Sequence, residues 1–297
     1  MPWFPFWKKK KPPTNPGIEQ SVEVLLNGRR YRQDVPYVLP KDLGEVNRLD
    51  FQHYLVKQAL KVSFVAPLGT QPPSTILDVG CGTGRWAREV SAEFPRAQVA
   101  GIDIEIPATA QDTIPTNCHY IQGNVLQGLP FPDNSFDFVH QRFLASAIPA
   151  DKWPQLLKEL VRVTTPGGWI ELTELLHRVE PMQEAGQQMA HWIEQFCAAR
   201  NIYPAIGEDL STLLEDEASL TDKQVYFHDL PVGAWGGHEG KLLAKSHLTA
   251  YAGVKPIYVK DLHINPEEFD KVIHKIGHEW EASHAHSRCY FALSRKA

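Results

Sequence analysis

Hydrophobic and polar residues follow two different periods along the chain, and from Thr75 onward these periods alternate. Short apolar runs bounded by turn residues predict buried strands, whereas apolar positions three and four residues apart predict amphipathic helices. Strands are predicted at TILDVG, QVAGIDI, CHYIQGNV, SFDFVHQRF and WIELTEL, and helices at RWAREVSAEF and at DKWPQLLKELVRVTTPGG, which should end at its Pro-Gly-Gly. Strands that alternate with helices are typical of a parallel sheet.

The pattern extends beyond these five strands in both directions. Upstream, Asn27-Gly28 predicts a small hairpin, and residues 44–60 have near-helical apolar spacing. After Glu180, helices are predicted at 182–201, 207–219, 240–254 and 266–283, with strands at 224–233 and 289–296, the last of which would close the sheet. In contrast, residues 105–117 contain two prolines and little periodicity, so the crossover helix expected there is short or missing.

Composition restricts the class of protein. With 297 residues, 43% hydrophobic and 22% charged, the chain can bury a large core. A formal charge of −5 argues against a nucleic-acid partner held by phosphate contacts. The four cysteines are far apart, which favours a reducing, cytoplasmic environment, and the absence of a long apolar run argues against a membrane span. Residues 3–11 combine aromatics with lysines, which predicts either a weak membrane-surface contact or a tail packed on the protein itself.

The turn after the first of the five strands contains three glycines. The segment DVGCGTG spaces them as Gly-x-Gly-x-Gly, and Arg85 stands where the dinucleotide fingerprint needs another glycine. Asp78 lies at this turn, where its carboxylate would repel a phosphate and suit a cationic ligand. Asp103 ends the second strand, where a carboxylate can accept hydrogen bonds from both hydroxyls of a ribose.

Four segments in order resemble the S-adenosylmethionine-binding segments of class I methyltransferases: ILDVGCGTG, GIDI, GNVLQGLPFPDNSFDFVHQRF and VRVTTPGGWIEL. The resemblance implies a Rossmann-like α/β fold, with a mostly parallel seven-stranded sheet and helices on both faces, and S-adenosyl-L-methionine as cofactor. It assigns cofactor binding to Asp78, Gly80, Gly82 and Gly84 at the methionyl portion, Asp103 at the ribose, Asn124 at the adenine, and Gln141 and Arg142 at the methionyl amine or carboxylate. Ile104 and Val125 are expected to bind the cofactor as well. Asn124 replaces the aspartate usual in the family, so an amide oxygen would accept from the adenine amino group.

A looser resemblance extends to the flanks of this region. YVLPKDLGEVNRLDFQHYL is similar to the opening segment of a methyltransferase branch that includes fungal regulators of secondary metabolism. This similarity implies that Tyr37, Arg48 and His53 lie near the cofactor and that the first helix is a lid. The alternative is a solvated helix face with one surface tyrosine.

Candidates for a general base lie near the carboxyl ends of the strands. A base is needed only if the acceptor is protonated, because the methyl group of a sulfonium is already activated. The candidates are His140, Glu171, Glu174 and His177. Alternation places Glu171 and Glu174 on opposite faces of one strand, so we favour Glu174, nearer its end, together with His140. No metal site is predicted, because Ala282 replaces the second histidine that a zinc helix would need after His278.

Together these patterns predict an N-terminal extension over residues 1–40 and a methyltransferase domain over 41–297. A lid helix and a helical insertion at about 180–245 should form the acceptor pocket. The expected activity is methyl transfer from S-adenosyl-L-methionine to a small organic acceptor, such as a natural product or an apolar metabolite. A regulatory or binding protein without small-molecule turnover is the alternative, whereas Arg85 disfavours an NAD-dependent oxidoreductase. The acceptor atom and the oligomeric state stay open.

Overall fold

A computed structural model describes residues 23–32, 37, 39–69, 72–105 and 114–297. The aromatic and lysine segment at 3–11 and most of the proline-containing stretch at 105–117 lie outside the described residues, so both predictions stay open. None of the described helices combines the length and the apolar composition that crossing a membrane requires.

The N-terminal elements agree with the sequence pattern. Strands β1 (Glu23–Leu26) and β2 (Arg29–Arg32) form the predicted antiparallel hairpin. Helix α1 (Leu43–Leu60) begins where the carboxylate of Asp42 accepts a hydrogen bond from the Glu45 amide, and it ends at Lys61 in the left-handed conformation. Helix α1 packs on two later helices, α2 (Arg85–Glu93) and α6 (Gly237–Asp261), and this packing places α1 beside the glycine turn.

The main sheet has seven strands, as predicted. Its elements in chain order are β3 (Thr75–Val79), α2 (Arg85–Glu93), β4 (Gln98–Asp103), β5 (Cys118–Gln122), β6 (Phe136–Arg142), α3 (Trp153–Val163), β7 (Thr164–Glu180), α4 (Glu184–Ala198), α5 (Leu210–Glu215), β8 (Leu220–Pro231), α6 (Gly237–Asp261), α7 (Pro266–Ala282) and β9 (His286–Lys296). The strand order is β5-β4-β3-β6-β7-β9-β8. Six strands run in the same direction, and β9 runs in the opposite direction between β7 and β8.

Two details differ from the sequence expectation. The last strand, β9, completes the sheet from inside rather than at its edge, because it carries a continuous apolar run that is buried between β7 and β8. Helix α3 ends at Val163, before the Pro-Gly-Gly, and β7 begins at Thr164. The Thr164 backbone is already extended, and its hydroxyl donates to the Leu160 carbonyl, which satisfies an acceptor at the helix end.

Helices cover both faces of the sheet, so successive strand residues face different layers. Leu77 belongs to the core formed with α3 and α5, whereas Ile76 belongs to the core formed with α2. Helices α1, α4, α6 and α7 form a third core with β9. Helices α4 and α5 follow β7, where a helical insertion is predicted, and β8 returns the chain to the sheet. The carboxyl ends of β3, β4 and β6 are left to form a site.

Candidate cofactor and active site

One cavity lies at the carboxyl ends of β3, β4 and β6, beneath helix α1. Most of the residues predicted for the cofactor line it: Tyr37, Asp78, Gly80, Gly82, Asp103, Ile104, Asn124, Val125 and Arg142, together with His53 and the candidate base His140. The lining does not include Arg48, Gly84, Gln141 or Glu174. Nor does it include any residue of 180–245, because α4 packs outward on α7, where Trp192 stacks on Phe269. The wall opposite the glycine turn comes instead from α1 and the loop after β6.

Gly82 forms the part of the glycine turn that leaves space for a ligand. Its φ is +54°, and a Cβ added there would meet only the Leu49 side chain, at 4.0 Å. Its amide donates to Asp103 at 2.8 Å, which ties the turn to the end of β4. The backbone therefore makes a bare floor in the cavity, as the Gly-x-Gly-x-Gly spacing predicts.

Asp78 is a buried carboxylate with one oxygen in use and one free. Its Oδ1 lies 2.9 Å from Nδ1 of His140, whereas Oδ2 is buried and has no hydrogen-bond partner. The side chain is only 4% exposed. A buried, unpaired carboxylate oxygen is costly unless a ligand supplies a donor or a positive charge. This atom marks the position for a cationic group.

Asp103 and Asn124 stand at the ends of neighbouring strands. The Asp103 carboxylate accepts from the amides of Gly82 (2.8 Å) and Glu105 (3.2 Å), and burial raises its pKa. Each carboxylate oxygen keeps a lone pair that can accept from a ribose hydroxyl. The Asn124 Oδ1, predicted to accept from an adenine amino group, accepts from the Leu126 amide at 3.0 Å and has one lone pair left.

Arg142 brings a partly buried guanidinium to the cavity wall. Its Nη2 donates to Nδ1 of His53 at 2.7 Å, and within the described part of the chain it forms no ion pair. Burial and the nearby guanidinium lower the pKa of His53 to about 4, so this imidazole is neutral at pH 7 and does not offset the charge. Arg142 therefore provides a cation suited to a carboxylate ligand.

Tyr37, which precedes α1, and Arg48, which lies on α1, belong to one hydrogen-bond network. The Tyr37 hydroxyl donates to Glu45 at 2.8 Å, and Arg48 forms two hydrogen bonds with the same carboxylate. Tyr37 lines the cavity, whereas Arg48 lies outside the lining and shares the Glu45 carboxylate with Tyr37. The sequence reasoning missed Gln52 and Trp86, which also line the cavity. Gln52 lies in the middle of α1 and Trp86 in the first turn of α2, and neither position offered a separate signal.

Glu174 and Gln141 lie behind the cavity wall. The Glu174 carboxylate accepts from Gln141 Nε2 (2.7 Å) and from the amides of Leu144 (2.8 Å) and Ala145 (3.1 Å). It thereby anchors the loop after β6, and the side chain is buried outside the cavity lining. Glu171, on the opposite face of β7, similarly accepts from two backbone amides before β3. The geometry thus gives Glu174 a structural role in place of the base that we favoured from the sequence.

The buried state of Glu174 gives a pH-dependent stability. Burial raises its pKa from 4.5 to about 7, so the unfolded carboxyl loses its proton at lower pH than the folded one. We therefore expect Glu174 to lower the free energy of unfolding as the pH rises from about 4.5 to about 7, by on the order of 3 kcal/mol. In urea unfolding across this range, the difference in the free energy of unfolding between Glu174→Gln and the wild type should change by this amount. A constant difference for Glu174→Gln would contradict the prediction.

Cys81 and the histidines of α7 lack the surroundings that chemistry requires. Burial, followed by Asp78 and Asp103, raises the pKa of the Cys81 thiol well above its usual range, so it stays protonated and packs in the turn. His274 and His278 lie one turn apart on α7. Among the described residues, no group of three or more histidine, cysteine, aspartate or glutamate side chains is close enough together to hold a metal ion.

Comparison with known proteins gives consistent similarities. Residues 76–168 match a family model described as a methyltransferase domain. Methyltransferase str3 of Strobilurus tenacellus is 31% identical over 201 residues, which is 66% of this chain and 71% of str3. The secondary metabolism regulator laeA of Aspergillus niger is 29% identical over 227 residues, which is 73% of this chain and 59% of laeA. Phosphoethanolamine N-methyltransferase 2 of Haemonchus contortus, solved with S-adenosyl-L-methionine, has a TM-score of 0.49 at 18% identity, over 84% of this chain and 52% of that one.

Proposed function

We propose that this chain, which belongs to the S-adenosyl-L-methionine-dependent methyltransferases, transfers the methyl group to a small organic acceptor. The observation that carries the proposal is the single cavity in which the cofactor residues meet an apolar wall. On one side lie Asp78, Gly82 and Asp103, and on the other lie the side chains of Leu49, Phe143, Leu144, Ala147 and Ile148. An apolar wall with few polar groups is typical of small-molecule sites.

The charged groups of the cavity fit this cofactor. Its amino acid portion carries an ammonium and a carboxylate, and the cavity offers the unpaired Oδ2 of Asp78 and the guanidinium of Arg142. Asp103 retains lone pairs for the ribose, and Gly82 leaves its floor bare. We propose that Ile104 and Val125, which follow Asp103 and Asn124 and line the cavity, pack on the two faces of the adenine.

The residues of the chain then have to orient the acceptor and exclude water. The bound cofactor supplies an activated methyl group on a sulfonium, so alignment of a nucleophile is the main requirement. Helix α1 covers the site: Leu49, Gln52 and His53 line the cavity, and the Asp50 carboxylate accepts from the Thr83 hydroxyl in the glycine turn. We propose that α1 is a lid that closes over both ligands and is held by these contacts.

A regulatory protein without small-molecule turnover is the second candidate. The similarity to laeA of Aspergillus niger, whose name describes a regulator of secondary metabolism, favours it. The two candidates share the cofactor site and differ in turnover. Incubation with methyl-labelled cofactor and a panel of phenols, carboxylic acids and amines should label a small molecule if our proposal is correct. Saturable cofactor binding with labelled protein as the sole product would favour the alternative.

Asp103→Asn tests the cofactor site itself. The variant keeps one oxygen for the Gly82 amide but loses the charge that accepts from the ribose hydroxyls. We expect S-adenosyl-L-homocysteine to bind about 10- to 100-fold more weakly, since each hydrogen bond to a charged group contributes about 1.5–3 kcal/mol. Isothermal titration calorimetry measures this change, and exposed Asp216→Asn should bind like the wild type. Equal affinity of Asp103→Asn and the wild type would argue against the assignment of Asp103.

A further inference from the structure

We infer that His140 is a positioning residue, which fixes the carboxylate of Asp78 so that its free oxygen meets the amino group of the methionyl portion. This inference rests on the proposed function, because it concerns how the cofactor is oriented. It is a different role from the general base that the sequence predicts for His140, and that base stays a prediction. Three observations support it: strand register, ring stacking and the unequal surroundings of the two Asp78 oxygens.

The register of the sheet brings the two side chains together. Strands β3 and β6 are parallel neighbours, and Asp78 is the residue directly opposite His140. Residues opposite each other in a sheet present their side chains on the same face. Nδ1 of His140 lies 2.9 Å from Oδ1 of Asp78, and both side chains are at most 4% exposed. The pair is thus formed within the protein before any ligand binds.

The imidazole is held in place by an aromatic stack. Its ring lies parallel to that of Trp86, with centroids 3.7 Å apart and an interplanar angle of 5°. The indole is itself anchored, because Nε1 of Trp86 donates to the Ser63 carbonyl at 2.6 Å. Phe138, two residues before His140 on β6, packs edge-on against Trp86. The stack and the anchored indole fix the plane of the imidazole, and with it the direction in which Nδ1 meets Asp78.

The hydrogen bond from His140 selects the orientation of the Asp78 carboxylate. A carboxylate rotates easily about its terminal torsion, so one strong hydrogen bond is needed to select an orientation. The bond at Oδ1 leaves Oδ2 buried, without a partner, in a side chain that lines the cavity. Orientation before binding strengthens an interaction because less freedom is lost when the ligand arrives. Removal of His140 should therefore weaken only the interactions of the amino acid portion of the cofactor.

Two ligands distinguish this role from general packing. S-adenosyl-L-homocysteine carries the amino acid portion, whereas 5′-methylthioadenosine has the same nucleoside and sulfur without it. His140→Phe keeps an aromatic ring on Trp86 but removes the Nδ1 donor. We expect this variant to bind S-adenosyl-L-homocysteine about tenfold more weakly, with affinity for 5′-methylthioadenosine changed less than about twofold. His140→Gln, which retains an N–H donor, should recover part of the loss.

The control is Phe138→Leu, which disturbs the same aromatic cluster but leaves the Asp78 and His140 pair intact. Phe138→Leu should lower thermal stability without changing the ratio of the affinities for S-adenosyl-L-homocysteine and 5′-methylthioadenosine. Equal losses of affinity for both ligands in His140→Phe, or no loss for either, would overturn the inference. If His140→Phe does not fold, the test is the affinity for S-adenosyl-L-homocysteine divided by that for 5′-methylthioadenosine in the other two variants. An unchanged value in His140→Gln together with a reduced value in Phe138→Leu would then overturn the inference. If the wild type binds neither S-adenosyl-L-homocysteine nor S-adenosyl-L-methionine, the proposed function fails first, which separates the two failures.

Discussion

Gly84→Ala should lower the free energy of unfolding by about 2–5 kcal/mol, which is a large part of the stability of a domain. Gly84 has a φ of +70°, and a Cβ there would lie 2.5 Å from ring atoms of Tyr120. The left-handed backbone costs a residue with a Cβ about 1–2 kcal/mol. Insertion of an atom into a filled space costs about 1–3 kcal/mol more.

Tyr120 has little room to move away. Its hydroxyl donates to the carbonyl of Gly84 itself at 2.7 Å, and its ring also lies against Gly101, where a Cβ would come within 2.8 Å. The same tyrosine therefore ties β5 to the glycine turn and fills the space that alanine would need. Because the turn carries the cavity floor, cofactor binding should weaken together with stability.

Urea unfolding with a double-mutant cycle can separate the two contributions. In a Tyr120→Ala background the collision disappears, so Gly84→Ala should cost only the backbone component of about 1–2 kcal/mol. Gly277→Ala is the matched control, because Gly277 lies within α7 with no atom within 4 Å of the added Cβ, and it should be neutral or stabilising. Equal costs of Gly84→Ala in both backgrounds would show that Tyr120 is not the obstacle.

Asp78→Asn should reduce affinity for S-adenosyl-L-homocysteine about 100-fold or more, without loss of stability in the ligand-free protein. The carboxylate oxygen Oδ2 is buried and has no hydrogen-bond partner, so it carries a desolvation cost that the ammonium of the ligand would offset. Asparagine has the same shape and can still accept from His140, but its amide would face the ammonium with a donor instead of a negative charge.

Asp137→Asn provides the contrasting control for this prediction. Asp137 lies near the opposite end of the same pair of strands, and its carboxylate accepts from the amides of Ser74 and Thr75. Asp137→Asn should therefore lower the free energy of unfolding and leave ligand affinity unchanged. Calorimetric titration and urea unfolding of both variants test the contrast. If Asp78→Asn lost stability as Asp137→Asn does and kept its affinity, Asp78 would be a structural residue.

Features formed by residues close together in the sequence were predicted well, because they depend on local backbone conformation and not on distant contacts. The glycine spacing of DVGCGTG, with a strand before it and a helix after it, requires a tight turn whatever the rest of the chain does. Asp78 and Asp103 end their strands for the same reason, and parallel strands bring their carboxyl ends to one edge. These features predict the sheet and the glycine turn, whereas the cofactor class and further cavity residues such as Asn124 and Arg142 come from the resemblance to methyltransferases.

The partners of buried polar groups could not be predicted in this way. Glu174 lies at a strand end, where a carboxylate can serve as a base, but its oxygens are used by the loop after β6. Sequence position gives a side chain its strand and its face, whereas its hydrogen bonds depend on which loop packs there. The same is true of the α4 region, whose apolar face was free to cover either the cavity or α7, and which packs on α7.

The sequence by itself determined the order of the strands and helices, the glycine floor and the two acidic positions, since each follows from the periodicity and conformational preferences of adjacent residues. Only the tertiary structure decided that His140 pairs with Asp78 and stacks on Trp86, and that β9 lies inside the sheet. These contacts join residues that are far apart along the chain. Their geometry is set by the packing of whole elements, because side-chain distances of 3–4 Å depend on strand register and helix placement together.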